Sequence, residues 1–381
     1  MKIAMLIPDN RDEFGKYSDP LPYFGTAPTA LLEGLAQTED CEIHIVSCVH
    51  RSIAAPKKIA GNIYFHAVQV GSWGWSRGGY LGCVMAVRRK LRELQPDIVH
   101  GQGTERYCAL GAVFAGFPNV LTIHGNMRLI AQVNHALPFS FHWNAARLES
   151  FVLPRTNGVV CISRYTQSAV AALARKTWLL PNAVDAGFFE LQAAPPPNIP
   201  PVILCVGTIC PRKNQNEFIR ALDPLAAQKK FQVVFLGHTD DSAYSAEYFQ
   251  LVQARPWCEH INFAGRDRVK ENFKTASLLA LPTLEDNCPM VVLEAIAAGV
   301  PVLASNVGGV PDLIESEKTG LFSDPQRPES FREGVEKLLA DREFAQQLAA
   351  AAKTEAVRRF HPQVIARQHL EIYRQVLAKA L

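Results

Sequence analysis

Short β-rich runs alternate with stretches of helical periodicity along this chain, and the alternation is carried through twice, on either side of a proline cluster. In the first half the order is KIAMLIP, TALLEGLAQ, CEIHIVS, NIYFHAV, MAVRRKLREL, DIVH, VLTIH and GVVCIS. Strands that alternate with helices pair in parallel, which predicts a sheet with helices on both faces. The pattern pauses near Leu180 in LPNAVDAGFFELQAAPPPNIPP, where the prolines after Gln192 predict an exposed linker. It restarts with PVILCVGT, NEFIRALDPLAAQ, FQVVFLG, HINFAG, ENFKTA, SLLALPT, an apolar helix and PVLAS. At 381 residues the chain is long for a single core, so two domains are expected. The boundaries drawn from these patterns are 1–185, a linker at 186–200, 201–360, and a last amphipathic helix in 361–381. Open α/β sheets bind ligands beyond the carboxyl ends of their strands, so two doubly wound halves predict chemistry in a crevice between them.

Hydrophobic residues make up 48% of the chain and charged ones 20%, with a net charge of +3. That composition describes a globular enzyme and excludes a disordered or nucleic-acid-coating protein. MKIAMLIPDN reads as a first strand and not a signal peptide, and no apolar stretch reaches the length needed to span a bilayer. The expectation is a cytoplasmic protein, with peripheral contact on the inner face of a membrane as its extension. Nine scattered cysteines form no CxxC pair, so they read as small buried thiols in a reducing compartment. No zinc site is expected.

The segment PTLEDNCPMVVLEAIAAGVPVLASNVGG sets Asp286 and Glu294 eight positions apart around the start of an almost wholly apolar helix. The helix is predicted to begin at Pro289 and to stop at Gly299. A helix apolar all round is buried, so an ionised Glu294 within it needs donors that meet it. Hydroxyls of a bound sugar or ribose would serve. A buried Arg or Lys partner would serve equally, with Asp286 an ordinary loop acid. The amides of Met290 and Val291 at the helix start suit a phosphate.

Other segments offer complementary chemistry. In VGTICPRKNQ, Gly207 permits a tight turn, and Arg212, Lys213 and Asn214 lead into a helix, which makes a phosphate site or a solvated cation pair. Gly237 and Gly265 end strands where backbone must pass close to a ligand or helix. Gly25 opens a loop-to-helix transition. His100 and His124 each end a strand before a glycine, and each is read either as facing the crevice or as structural, with His124 ranking first for function. Ser163, Arg164, Asn182 and Asp185 lie where the first half hands over to the second, as functional groups or as caps and turn formers. No Asp-x-Asp occurs, so no metal is expected to carry a diphosphate; cations and helix dipoles would do so.

PTLEDNCPMVVLEAIAAGVPV with its downstream GG, VGTICPRKN, the LTIHG histidine and LPNAVD together resemble the retaining glycosyltransferases of family four. The resemblance covers essentially the whole chain. It implies the GT-B fold, two Rossmann-like domains facing across a cleft, with the closing helix crossing back to the N-terminal domain. It implies a nucleotide-sugar donor, a carbohydrate or lipid-linked acceptor, no cofactor or metal, and no nucleic acid. By it, His124, Lys213 and Asp286 form the catalytic set. Donor contacts fall on Gly25, Gly207, Thr208, Arg212, Lys213, Gly265, Glu285, Asp286, Cys288, Met290, Val291 and Glu294, with Glu294 on the ribose and Lys213 on the diphosphate. The reaction implied is transfer of a hexose-type sugar with retained configuration, in polysaccharide, lipopolysaccharide or glycolipid assembly.

This sequence departs from the family pattern at three places. Thr208 stands where the family has arginine, Asp286 where it has glutamate, and Gly25-Thr26 where it has paired glycines. Arg212 is the candidate replacement cation, and either Asp286 or Glu285 could reach the sugar. A nucleotide-sugar epimerase, a phosphorylase on the same plan and a catalytically silent sugar-nucleotide binder are the competing readings. Trp73, Trp75, Tyr80, Phe139, Phe141 and Trp143 are read as core packing or as an acceptor surface, with the cations from Arg88 onward available to anionic headgroups.

Overall fold

The computed structural model describes residues 1–191, 200–262 and 265–379. The expected proline linker falls largely outside the described residues. The chain divides into two compact units, one formed by Met1–Ala183 with Pro362–Leu381 and the other by Val184–His361.

The first unit is built on eight strands: β1 (Lys2–Leu6), β2 (Glu42–Val49), β3 (Lys58–Ala60), β4 (Ile63–Gln69), β5 (Ile98–Gln102), β6 (Asn119–Ile123), β7 (Val159–Cys161) and β8 (Thr177–Leu179). Their order is β3-β4-β2-β1-β5-β6-β7-β8, parallel except for the short β3 against β4. Both faces are covered, and the side-chain period of two sorts the residues. Ile3, Met5 and Ile7 enter the core on one face, while Ala4 and Leu6 enter the core on the other.

The closing helix, Pro362–Leu377, belongs to this unit. It packs on the helix Thr26–Ala36, and Ile365, Ala366, Ile372, Tyr373 and Val376 join the core under β1 and β2. His100 takes part in this packing and does not lie at the strand end, where the sequence placed it. It is fully buried inside β5, with Nδ1 2.6 Å from the Tyr373 hydroxyl and Nε2 2.7 Å from Thr122 Oγ1. Its following glycine still belongs to the strand, so the side chain never reaches the strand end.

The second unit has six parallel strands: β9 (Val202–Val206), β10 (Gln232–Leu236), β11 (Cys258–Ile261), β12 (Leu278–Leu281), β13 (Val302–Ser305) and β14 (Leu321–Ser323). Their order, β11-β10-β9-β12-β13-β14, reverses direction between β9 and β12, the switch point at which doubly wound sheets hold ligands. The apolar helix spans Met290–Ala298, ends on Gly299 at φ 75°, and packs on the helix Arg342–Phe360. Pro289, the predicted first residue, is instead the extended N-cap, so the helix starts one residue later than expected. The stretch 186–191, read as linker, is instead part of this unit. Its turn Ala186–Phe188 plants the fully buried Phe188 edge-on against Phe273, which makes this stretch a packed wall and not a spacer.

Candidate functional site

Two loops meet at the carboxyl ends of β9 and β12. The first runs from Gly207 to Lys213. Gly207 donates its N–H to Leu236 O at 2.9 Å, and Ile209 does so to His238 O at 2.8 Å, which lays the loop across the tip of β10. This approach requires Gly237 to lack a side chain, because a Cβ there would stand 2.0 Å from the Gly207 carbonyl oxygen. From the other side, buried Gln215 donates to the Thr208 carbonyl at 3.0 Å. Pro211–Lys213 form a single 3-10 turn, and Asn214, at φ 58°, turns the chain into the helix Gln215–Ala226.

The second loop, residues 282–289, docks on the first through Arg212. Leu284 N–H donates to Arg212 O at 2.8 Å, and Thr283 Oγ1 lies 3.0 Å from that carbonyl and 2.8 Å from Glu285 O. Arg212 Nη1 donates in return to Glu285 O at 2.7 Å. The side chains then converge: Lys213 Nζ reaches Asp286 Oδ2 at 2.5 Å, and Arg212 Nη1 lies 3.6 Å from the same oxygen and 3.8 Å from Glu285 Oε2. The GG downstream holds this arrangement from behind. Gly309 N–H donates to Asp286 O at 2.9 Å, and a Cβ on Gly308 would fall 2.0 Å from that oxygen.

Two cations and two carboxylates leave the cluster with formal charges that cancel. Burial pushes the Glu285 carboxyl above its ordinary value, against the pull of Arg212 and with a push from Asp286. Just beyond, the helix Met290–Ala298 presents its N-terminus. Its first bonds run from Val292 and Leu293 N–H to Pro289 O at 3.1 and 3.4 Å, so the amides of Met290 and Val291 precede the helical ladder. Cys288 and Val291 are buried against this end, and Met290 is half-buried.

Glu294 lies one turn into that helix and is met by a protein cation, the alternative the sequence left open. Arg266 Nη1 donates to its Oε1 at 2.6 Å. Arg266 opens the helix Arg266–Thr275 behind Gly265, which sits at φ 95°. The guanidinium also lies 3.7 Å from Asp185, whose carboxylate pairs with Lys270 at 3.0 Å and caps the Gly187 N–H at 2.8 Å. Burial raises the Glu294 carboxyl from its ordinary value, and Arg266 opposes that rise. Arg266 and Lys270 were not read from the sequence. Their four-residue spacing behind a helix-opening glycine was the available signal.

Gly25 and His124 belong to the first unit. Gly25, at φ 78°, caps the helix Thr26–Ala36. His124 follows β6, and its Nε2 lies 2.7 Å from Gln102 Oε1. Burial, with His369 nearby, lowers its imidazole to about 4, so the ring is neutral at pH 7. Gln102, Thr122, His124, Asn182 and His369 line one small cavity. Ser163 caps the helix Arg164–Val170 through Thr166 N–H at 3.1 Å. The sequence also hid a buried ion pair beyond β1. Arg11, 1% exposed, bonds Asp9 at 2.6 Å and Asp19 O at 2.6 Å.

The aromatics split. Trp75 and Tyr80 pack on the core, and Trp143 is half-buried under Arg147. Trp73, Phe139 and Phe141 are exposed at 83%, 82% and 49%, so core packing fails for them.

Residues 27–188 match the family model described as Glycosyltransferase Family 4, and residues 189–355 match Glycosyl transferases group 1. The chain belongs to the family-four glycosyltransferases. Among its relatives is an uncharacterized glycosyltransferase of Methanocaldococcus jannaschii, 28% identical over 45% of the chain and 44% of the relative. Another is the GDP-mannose-dependent phosphatidylinositol monomannoside mannosyltransferase of Mycobacterium tuberculosis, 28% identical over 55% of the chain and 61% of the relative. The chain thus spans about half the length of these relatives. The fold is GT-B. Sucrose-phosphate synthase from Thermosynechococcus elongatus superposes with a TM-score of 0.80 at 19% identity over all of both chains. Anabaena HepE in complex with UDP-glucose gives 0.73 at 18%, over 98% of this chain and 100% of that one.

Proposed function

We propose that the protein is a retaining glycosyltransferase that moves a hexose-type sugar from a nucleoside-diphosphate sugar to an acceptor hydroxyl. The observation that carries this reading is the convergence of Lys213 and Arg212 on Asp286 at the β9/β12 switch point, directly ahead of a helix N-terminus. Cations and amides there are an anion site, and the Asp286 carboxylate occupies the cations' attention when no phosphate does. A diphosphate would take Lys213, and Asp286 or the adjacent Glu285 would then be free to accept hydrogen bonds from the sugar. Glu294, with Oε1 bonded to Arg266, offers its remaining oxygen to the ribose.

In the transfer itself, the bond between the anomeric carbon and the β-phosphate oxygen breaks as the acceptor oxygen bonds to the same face. The acceptor proton passes to the departing phosphate oxygen, so no protein base is needed. Lys213, Arg212 and the Met290 and Val291 amides stabilise the charge that grows on the diphosphate, and a resident metal is not required. Arg212 stands in for the family arginine that Thr208 replaces. His124, neutral at pH 7, is suited to hydrogen-bond the transferred sugar and not to shuttle its proton. The acceptor falls to the first unit, where Phe139 and Phe141 are exposed, and is a carbohydrate or lipid-linked hydroxyl of polysaccharide, lipopolysaccharide or glycolipid assembly. The relatives use or hold different nucleotides, GDP-mannose in one case and UDP-glucose in another, so the donor base is a question for experiment.

Incubation with radiolabelled nucleotide sugars, with and without acceptor glycans or lipids, tests the proposal. Labelled product of retained configuration together with free nucleoside diphosphate supports it. An isomerised donor would establish an epimerase, and tight binding without turnover a silent binder.

A further inference from the structure

The helix Leu81–Leu94 and the turn before it carry a surface that nothing in the transfer reaction uses. Between Ser72 and Arg92 there is no acidic residue, while Arg77, Arg88, Arg89, Lys90 and Arg92 are all cationic. Cys83, Val84, Val87 and Leu91 face the core. At 100° per residue, Leu81, Met85, Arg88, Arg89 and Arg92 share one stripe of roughly 100° turned away from it. The apolar members of that stripe lie in the open: Leu81 is 63% exposed and Met85 64%, and Trp73 stands 83% exposed in the preceding turn. Single exposed apolar residues are ordinary, but an apolar row flanked by cations is not. Lys90 pairs with Glu93, and among the described residues no ion pair engages Arg77, Arg88, Arg89 or Arg92.

We propose that this face docks on an anionic lipid bilayer. The chemistry of each part fits that one occupant. Trp73, Leu81 and Met85 suit the boundary between headgroup and acyl chain, where an indole and short apolar side chains lose contact with water. Arginines on the same stripe lie at headgroup level and bond phosphate oxygens, and an unbroken cationic run is complementary to a negative surface. No helix among the described residues is long and apolar enough to cross a membrane, so the contact is peripheral. The inference rests on the first unit alone and is independent of the donor chemistry in the second. Where the acceptor is lipid-linked, the contact would keep the first unit at the surface that supplies it.

The test is co-sedimentation of the full chain with vesicles of neutral phosphatidylcholine and with vesicles containing anionic phosphatidylglycerol. The protein is expected to partition onto the anionic vesicles at low salt and to leave them as salt rises. Replacing Arg88, Arg89 and Arg92 together by serine should weaken partitioning about a hundredfold, at about fivefold per cation. Met85→Ser should weaken it by about tenfold through lost apolar insertion. Both variants alter exposed residues and should keep the wild-type melting temperature. Serine at Lys318 and Arg327, exposed on the other unit, should change nothing. The proposal is overturned if the wild type stays in the supernatant with anionic vesicles, binds neutral ones equally, or is matched by the triple variant. Concentration-dependent dimerisation that Met85→Ser abolishes would overturn it too, by assigning the face to a second copy.

Discussion

Glu294→Gln separates two roles that one carboxylate could fill, since Glu294 is both the partner of Arg266 and the proposed ribose ligand. Oε1 is held by Arg266 at 2.6 Å, which leaves the other oxygen for a ribose hydroxyl. A hydrogen bond to a charged group contributes about 1.5–3 kcal/mol. In the glutamine variant Arg266 claims the single carbonyl oxygen, and the amide NH2 is turned toward the ribose with the wrong polarity. The dissociation constant for the nucleoside diphosphate should therefore rise roughly 10- to 150-fold, at about 1.4 kcal/mol per tenfold. Stability should respond differently. The fold raises this carboxyl above its ordinary 4.5, mainly by burial. A raised acid gives stability that is present below pH 4.5 and is lost as pH climbs through the folded value. Ionising this side chain above its folded value therefore comes at a cost to stability, which the neutral amide avoids. Arg266 is not stranded by the change, because its side chain is 26% exposed and lies 3.7 Å from Asp185. The melting temperature should be unchanged or higher, with the variant gaining on the wild type as pH rises from 4.5 through the folded value. Calorimetric titration and scanning calorimetry read both quantities. Unchanged nucleotide affinity combined with a melting temperature several degrees lower would refute the reasoning and make Glu294 a structural partner only.

Other consequences are open to test. Lys213→Ala should lower kcat/KM by about a hundredfold or more, on the scale of losing one charge-stabilising donor, with the fold intact by circular dichroism. Gly308→Ala places a Cβ 2.0 Å from the Asp286 carbonyl at φ 56°, so donor affinity should fall and the melting temperature drop by several degrees. Transfer should survive exhaustive EDTA treatment; loss that Mg²⁺ or Mn²⁺ restores would contradict the metal-free proposal. Burial lowers His124 and His369 to about 4, so the stability they contribute is present above pH 6.5 and is lost as pH falls toward 4. His369→Gln should flatten that acid limb in a chemical-denaturation series.

The doubly wound plan was legible because buried parallel strands are continuous apolar runs of fixed length, and β1, β2, β9, β10 and β12 all read that way. Short edge strands were not: β3, β8 and β14 have three residues each and owe their state to a neighbour, not to pattern. The site loops were legible through their glycines and the Asp286–Glu294 spacing, since backbone that passes within a van der Waals radius of another loop restricts residue choice locally. What could not be read was pairing across long separations. Arg266 meets Glu294 from 28 positions away. His100 misled for the same reason. Its environment is set by Tyr373, 273 positions along the chain, which no local pattern announces.

The central claim is that the second unit grips a nucleoside diphosphate where β9 and β12 part. Isothermal titration of the full chain with UDP, GDP, ADP and CDP tests it directly. At least one should bind with micromolar affinity or better, and Lys213→Ala should abolish that heat while leaving the melting temperature in place. Absence of binding by all four, or a wild-type isotherm from the lysine variant, would contradict the account.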